Sequence, residues 1–387
     1  MVKINSPKRG VCLTDEQKIS WLRLIRSESI GPATFRDMIN YFGSSEQALE
    51  AIPELARRSG KNKKIRICSR EEAERELQTA ESFGARFIAI SDPSYPPALR
   101  YIDYPPPLLA VKGNMQIAST KPSVGIVGAR HPSISALKFT EKIAQEIGRE
   151  GYTIVSGLAL GIDTIAHRAS LKTGTIATMA GGLDCIYPPE NRNLLEEIWS
   201  NEGMAISEMP FGCEPRPHDF PRRNRLIAGI GLGLIVIEAA KKSGSLITSR
   251  LAAEFGRLVF SVPGSPLDPR CEGTNQLLKE GAILITSAHD ALQILHPQIE
   301  KNFFSSPCNE DYAKDLNITN HPDYNQDERE KIVQSLNSVP IHVDDIIQHT
   351  GINASIIYLI LLELDLSGQI CRHPGGMVSL AMRLPTP

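Results

Sequence analysis

Short apolar segments alternate with helix-like stretches through the middle of the sequence, between residues 124 and 295. Apolar, β-branched runs of this length are typical of strands buried on both faces. Strands that alternate with helices predict a mostly parallel sheet covered by helices on both sides, a doubly wound α/β fold. The predicted strands are Val124–Val127, Thr153–Val155, Thr175–Met179, Met204–Ile206, Leu234–Ile237, Leu258–Val262 and Ile283–Ile285.

Glycine and serine are concentrated directly after these strands. Gly128, Gly157, Gly181, the turn at 243–245 and Gly264 each follow a predicted strand. Ligands of parallel sheets gather at the carboxyl ends of the strands, and glycine lets the backbone approach them closely. Because the N-terminus of each following helix offers free N–H groups and a positive dipole, this edge predicts an anion-binding groove.

Residues 220–250 carry most of the positive charge near this edge. Three arginines, at 222, 223 and 225, precede the Leu234–Ile237 strand, and Lys241 and Lys242 lie in the glycine turn after it. The formal net charge of the whole chain is −2 and its pI is about 6.5. A site for a polyanion must therefore be a local basic patch on a nearly neutral protein.

Several classes of protein and site are disfavoured by the composition. The seven cysteines form no CxxC pair, which indicates reduced thiols and argues against a zinc site. No apolar run reaches the roughly 18 residues of a membrane span. The basic start of the chain, 1–10, is followed by no signal-peptide core. We expect a cytoplasmic protein with no membrane span, no metal and no cofactor.

The segments that flank the sheet predict further domains. The first helices, Asp15–Arg26 and Ala33–Tyr41, surround a tight turn, as in a sterile-alpha-motif (SAM) or helix-hairpin-helix (HhH) module. The predicted division is 1–65 for this helical SAM/HhH-like domain, 66–120 for a proline-rich connector with edge elements of the sheet domain, 121–297 for the Rossmann-like domain, 298–326 for a linker and 327–387 for a winged-helix domain.

Three helices and a short hairpin at the end of the chain predict the winged helix. Its third helix, Ala354–Leu366, is apolar and carries no lysine or arginine. A helix that reads the major groove usually presents Arg, Lys, Asn or Gln. The sequence therefore favours a protein contact, or a weak DNA contact, over sequence-specific reading by this helix.

Two kinds of enzyme compete with a binding function. A dinucleotide-binding domain needs G-x-G-x-x-G after the first strand and an acid at the end of the second, but 125–130 reads GIVGAR and Ser156 ends the second strand. A nucleotide N-glycosidase would need a carboxylate poised over a ribose, and Asp163, paired with His167 four residues later, is one candidate. Further candidate carboxylates near strand ends are Asp184, Glu208 and Glu238. No nucleophile–base set is evident, so we expect no catalytic residues and keep the N-glycosidase as the alternative.

At these strand-end loops the chain resembles the DNA-processing protein A family, called DprA or Smf. The similarity extends over the proline-rich segment and the N-terminal helices, so that it covers nearly the whole chain. The matching runs in the sheet domain are Val127–Arg130, Ser156–Asp163, Phe220–Gly229, Ser243–Thr248 and Val262–Gly264.

The resemblance implies a non-enzymatic cytoplasmic protein that binds single-stranded DNA without sequence preference. It implies a homodimer formed through the Rossmann-like domain, and delivery of the DNA to the RecA recombinase during natural transformation. Both partners are thus expectations that come from the family.

The same resemblance implies which residues hold the DNA. Arg130 would grip a phosphate, and Phe220 would stack on a base. A departure from the family is Pro217-His218 before the phenylalanine, where some members carry lysine. The expected DNA-binding residues are Gly128, Arg130, Phe220, Arg222, Arg223, Asn224, Arg225, Lys242, Ser243, Gly244, Ser245 and Thr248.

Overall fold

The computed structural model of the chain describes residues 10–58, 65–299 and 324–381, which form two compact units. Most of the predicted linker, 298–326, therefore lies outside the described residues. Of the described residues, the sheet unit comprises 10–12, Glu76–Ile102 and 108–299, and the helical unit comprises 13–58, 65–75, Asp103–Pro107 and 324–381.

The helices of the chain are, in order, α1 (Asp15–Ile25), α2 (Pro32–Phe42), α3 (Ser45–Arg58), α4 (Arg70–Ser82), α5 (Ile117–Thr120), α6 (Ile134–Arg149), α7 (Ile162–Ser170), α8 (Arg192–Ser200), α9 (Asp219–Ile230), α10 (Gly244–Glu254), α11 (Glu272–Lys279), α12 (Ala288–Gln298), α13 (Gln326–Ser335), α14 (Val343–Thr350) and α15 (Ala354–Leu366). The strands are β1 (Arg86–Ala89), β2 (Leu108–Gly113), β3 (Ser123–Gly128), β4 (Thr153–Ser156), β5 (Thr175–Thr178), β6 (Met204–Ser207), β7 (Gly233–Ile237), β8 (Leu258–Ser261), β9 (Ile283–Leu284), β10 (Ile341–His342), β11 (Ile370–His373) and β12 (Met377–Leu380).

The sheet unit is built on a nine-stranded sheet in the order β1-β2-β6-β5-β4-β3-β7-β8-β9. Strands β3 to β9 run parallel, and β2 joins β6 antiparallel with β1 outside it. The predicted doubly wound, mostly parallel fold is confirmed. The proline-rich segment supplies the antiparallel edge strand β2, because its prolines at 105–107 stop just before the strand.

The strand order reverses between β3 and β7, since the chain proceeds to β4 on one side and to β8 on the other. Ligands of doubly wound sheets bind at such a switch point. Gly128 closes β3 there, where a Cβ atom would lie 1.9 Å from the carbonyl oxygen of Ile237. Only glycine allows β3 and β7 to stay paired to their last residues.

The core of the sheet unit contains fully buried β-branched side chains from the central strands, which pack in one cluster. Ile126 and Val124 on β3, Ile154 on β4 and Ile235 on β7 each have 0% exposure. Burying one such side chain contributes about 1.5–3 kcal/mol relative to leaving it exposed. The strand ends are therefore held on a rigid layer.

Two predicted helix boundaries are wrong. The sequence pattern predicts a helix over Arg222–Ile230, but α9 begins at Asp219, so Phe220 and Pro221 lie in its first turn. Proline is tolerated there because first-turn N–H groups have no intrahelical partner. The sequence pattern also predicts a short helix over Ser45–Ala51, but α3 runs on to Arg58 and contains Pro53 in its interior.

The helical unit contains the N-terminal helices α1 to α3 and a winged helix. The wing is a three-stranded sheet in the order β10-β12-β11, and α13, α14 and α15 surround one apolar core. Within this unit, α15 also contacts α2 and α3. Among the described residues of the chain, no helix has the length and apolar character to cross a membrane.

His167 on α7 is buried and neutral. Thr175 donates its hydroxyl hydrogen to the carbonyl of Ile154, so the 2.7 Å bond between Thr175 Oγ1 and His167 Nδ1 places a proton on Nδ1. Burial, with a smaller contribution from the Arg223 charge, lowers the pKa of His167 from 6.5 to about 3. The side chain is therefore a buried, neutral core histidine that is bonded to Thr175 through Nδ1.

We predict that His167 makes the stability depend on pH. Between pH 6.5 and 3 the unfolded chain binds a proton at this residue and the folded chain does not, so unfolding becomes easier as the pH falls. The contribution approaches about 1.4 kcal/mol per pH unit. Urea unfolding of wild type and His167→Gln across this range should show a shallower pH dependence in the variant. Identical slopes would contradict the assignment.

Candidate nucleic-acid interface

An aromatic pair lies near two guanidinium groups at the carboxyl edge of the sheet. The rings of Tyr187 and Phe220 meet edge to face with centroids 5.5 Å apart. The guanidinium carbon of Arg130 lies 6.0 Å from the Phe220 ring centroid, and that of Arg223 lies 5.9 Å away. Tyr187 is 51% exposed, and Phe220 is half-buried. Loops after β3 and β5 and the start of α9 thus converge, as the sequence predicts for Arg130 and Phe220.

The backbone at Arg130 is held by the loop that precedes α7. Ile162 donates its N–H to the carbonyl of Ala129. Gly161 has a φ of +79°, and a Cβ atom on it would lie 2.6 Å from the carbonyl oxygen of Arg130. The Arg130 side chain is exposed, and no ion pair joins it to a carboxylate in the described part of the chain. Arg130 is therefore a cation that solvent and ligands can reach.

Arg223 lies beneath the aromatic pair and is buried. Its Nη1 donates to the carbonyl oxygens of Gly157 and, at 2.6 Å, Thr178. Burial lowers the pKa of Arg223 to about 10, while the nearby carboxylate of Asp163 opposes this effect, so the guanidinium stays charged at neutral pH. The contacts place Arg223 as a link between α9 and two strand-end loops. Direct binding of DNA by this side chain stays a prediction.

Arg222 and Arg225 share one buried carboxylate. Glu208, directly after β6, accepts from Arg222 Nε at 3.0 Å and from Arg225 Nη2. The Glu208 side chain is 5% exposed, whereas Arg222 is 45% and Arg225 is 15% exposed. The pair of arginines therefore adds about one net positive charge to the edge, less than the sequence predicts.

The turn after β7 lies beside α9 and begins α10. Ser243 caps α10 by accepting the N–H of Ser245, and the two hydroxyl oxygens lie 2.6 Å apart. Asn224 Nδ2 lies 3.5 Å from the carbonyl oxygen of Gly244. Thr248 is buried and bonds back to that same carbonyl, while Lys242 is exposed. The positive end of the α10 dipole therefore faces the same side of the sheet as α9.

Two members of the cluster were missed by sequence reasoning. Tyr187 ends a glycine-rich loop after β5, and an exposed aromatic in such a loop is a usable signal for a base-stacking residue. Glu208 was noted only as a possible catalytic carboxylate. Its pairing with Arg222 and Arg225 depends on the neighbouring positions of β6 and α9, which the sequence does not encode locally.

The carboxylates proposed for the N-glycosidase alternative are all engaged. Asp163 accepts from the N–H of Gly157 at 3.0 Å, and Asp184 accepts the N–H of Gly212 with both oxygens at 2.9 Å. Glu238 accepts the N–H of Ser133 at 2.8 Å and also the Ser133 hydroxyl. These three carboxylates accept hydrogen bonds from backbone N–H groups, and Glu208 forms ion pairs with two arginines.

One group in the described residues has the composition of a metal site, formed by Glu238, Asp268 and Cys271 within 4.8 Å of one another. Glu238 is bound by Ser133, and Asp268 is paired with Arg270 at 2.7 Å. Burial raises the pKa of the Cys271 thiol, which opposes metal binding. The chemistry of this group therefore does not suit a metal ion.

The fold and the site define a class of protein: an α/β sheet with glycine-lined, cationic strand ends and a partly exposed aromatic pair, suited to a flexible polyanion. Comparison with protein families agrees. The family model described as DNA recombination-mediator protein A matches residues 86–296. A DprA-like N-terminal HHH domain matches 15–79, which favours the helix-hairpin-helix interpretation, and a DprA winged helix domain matches 320–376.

Individual relatives cover most of the chain. Protein Smf of Synechocystis is 32% identical over 94% of this chain and 98% of its own length. DNA processing protein DprA of Streptococcus pneumoniae is 44% identical over 56% of this chain and 75% of its own. The X-ray structure of DprA from Streptococcus pneumoniae aligns with a TM-score of 0.60 at 36% identity, covering 73% of this chain and 98% of that one.

The chain belongs to the DprA/Smf family of DNA recombination-mediator proteins. The predicted resemblance is thereby confirmed, and with it a role in DNA processing.

We predict that Arg223 is needed for folding while Arg222 is not. Replacing Arg223 by Met leaves Asp163 and two carbonyls without their cation, which costs about 3–5 kcal/mol of unfolding free energy. Arg222→Met, on the exposed side of the same helix, should cost about 0–1 kcal/mol. Urea unfolding followed by circular dichroism measures both. Equal losses in the two variants would contradict the burial-based assignment.

Proposed function

We propose that this protein binds single-stranded DNA without sequence preference at the carboxyl edge of its sheet. The observation that carries the proposal is the pair formed by the exposed Tyr187 and the half-buried Phe220, with Arg130 beside it. Single strands are held by cations along their phosphates and by aromatic rings that stack on bases, and every base offers such a face. One aromatic pair suits a pocket for one or two bases better than a long stacked track.

Further contacts would come from the residues around the pair. Arg222 and Lys242 are exposed cations, and the α10 N-terminus presents a positive dipole end. Asn224 joins this turn to α9, so the Ser243–Ser245 segment is part of the same proposed path. Gly128, Arg225 and Thr248 would act mainly through the backbone geometry that they support.

Membership of the DprA/Smf family supports a more specific proposal about the role of the bound strand and the partners. We propose that the chain is non-enzymatic, that it loads RecA recombinase on the bound strand during natural transformation, and that it acts in the cytoplasm as a homodimer formed through the Rossmann-like domain. The engaged carboxylates support the first part. The protein incubated with nucleoside monophosphates should release no free base, and release of base would instead favour the N-glycosidase.

We predict that Phe220→Leu weakens binding of an oligo-thymidine by about 5- to 150-fold, the equivalent of losing one stacked base. Tyr101→Leu is the matched control, because Tyr101 is an exposed aromatic residue in the turn that packs on the other end of α9. Fluorescence anisotropy with a labelled oligonucleotide measures both. Equal affinity of Phe220→Leu and wild type would move the stacking site elsewhere.

We predict that Arg130→Ala weakens binding to all sequences alike and lowers the salt dependence. Loss of one phosphate contact should reduce the slope of log K against log salt by about 0.7 for single strands. Arg149→Ala is the matched control, since Arg149 is exposed at the C-terminal end of α6, on the opposite edge of the sheet. An unchanged slope in Arg130→Ala, or an equal change in the control, would refute the phosphate contact.

A further inference from the structure

Helix α15, the third helix of the winged helix, is buried on two opposite sides. One side, which includes Ile357, Ile360 and Leu361, belongs to the apolar core of the winged helix. A second row of leucines, at 359, 362 and 366, lies outside that core and is 0–4% exposed. Residues spaced by three and four share one helix face. The second face must therefore be covered by something other than the winged helix itself.

The cover is the N-terminal helical domain. Within the helical unit, α2 and α3 pack on α15. Their apolar faces, with Met38 at 0% and Ile52 at 0% exposure, are fully buried. This contact accounts for the apolar composition of α15, which is unusual for a helix that reads DNA.

A buried ionic cluster fixes the register of this contact. Arg372 on β11 lies with its Nη2 2.9 Å from Asp37 Oδ2 on α2, and with its Nε 3.3 Å from Asp365 Oδ2 on α15. Thr34 on α2 donates to the same oxygen of Asp365 at 2.9 Å. The side chains of Asp37 and Arg372 are each 10% exposed, and that of Asp365 is 15% exposed. Charges so far from water are tolerated only when they are paired, so any other register of the two domains would leave one unpaired.

A second polar contact spans the same boundary. Tyr324 donates to Glu363 on α15, and the guanidinium carbon of Arg58 on α3 lies 6.0 Å from the Tyr324 ring centroid. Burial raises the pKa of Glu363. The outer face of α15 therefore carries acids and leucines that are buried against the N-terminal helices.

We propose that α15 is a binding element for the N-terminal helical domain of the same chain, and that the winged helix thus serves as an intramolecular clasp. A recognition helix must lie exposed in the major groove to read bases. The face of α15 that lies outside the winged-helix core is instead covered by α2 and α3. In this docked arrangement α15 does not read the bases of duplex DNA.

Hydrogen exchange on the full chain tests the clasp, with variants on each side of it. Asp37→Ala removes a charge from α2 and should speed exchange of the α15 amides by about tenfold or more, although Asp37 lies in the other domain. Arg372→Ala, in the winged helix, should likewise speed exchange of α2. The matched control is Lys331→Ala, an exposed charge on α13, which should change neither helix. Amides of α6 in the sheet unit should be unaffected throughout.

Two results would overturn the proposal. The first is that Asp37→Ala leaves α15 unchanged, or that Arg372→Ala loosens only β11, β12 and α15 while α2 keeps its protection. Asp37→Asn, which keeps the side-chain shape, repeats the test if the alanine variant fails to fold. The second is that a short random-sequence duplex slows exchange of α15 in the wild type, because that helix would then contact DNA.

Discussion

The bonds between the buried guanidinium of Arg223 and the carbonyls of Gly157 and Thr178 are the constraint on which the candidate site depends. They tie α9 to the loops that follow β4 and β5. A Cβ atom on Gly157 would lie 2.6 Å from Arg223 Nη1, so glycine is required where the arginine enters. Phe220 lies one helical turn before Arg223, and its ring position above Tyr187 follows from this anchor.

Charge at the sheet edge is partly neutralised. Glu208 neutralises part of the Arg222–Arg225 pair, and Asp163 lies close to Arg223. The accessible cations that remain include Arg130 and Lys242. A moderate local charge beside an aromatic pair suits a ligand that must be held and also released, whereas a dense arginine cluster would bind any polyanion tightly.

The sequence predicts the layer architecture well because strand and helix periodicities are local properties. Each central strand was found within two residues of its predicted ends, and α15 was found at its predicted bounds. Phe220 and Arg130, which the family resemblance assigns to one site, lie close together, and their role in binding DNA stays a prediction. The start of α9 was missed since proline in a first turn looks like a helix boundary. The burial of Arg223, its carbonyl partners and the Glu208 bridge could not be predicted, because they join residues 14 to 66 positions apart.

The burial of both faces of α15 is a second contact between distant parts of the chain that local sequence patterns could not predict. Its apolar composition favours a protein contact, but the partner, a domain more than 300 residues earlier in the chain, is evident only from the structure, in which α2 and α3 pack on α15 and Asp37 pairs with Arg372. The periodicity of apolar residues shows that a helix face must be covered, but it does not identify the element that covers it.

A hydrogen-exchange footprint of oligo-thymidine on the full chain tests the central claim most directly. The account predicts slower exchange in three separate segments of the sheet edge, 128–133, 180–190 and 217–225, with no change in α15. Protection confined to the opposite edge of the sheet, or to the winged helix, would contradict it, because the aromatic pair and Arg130 would then lie away from the bound strand.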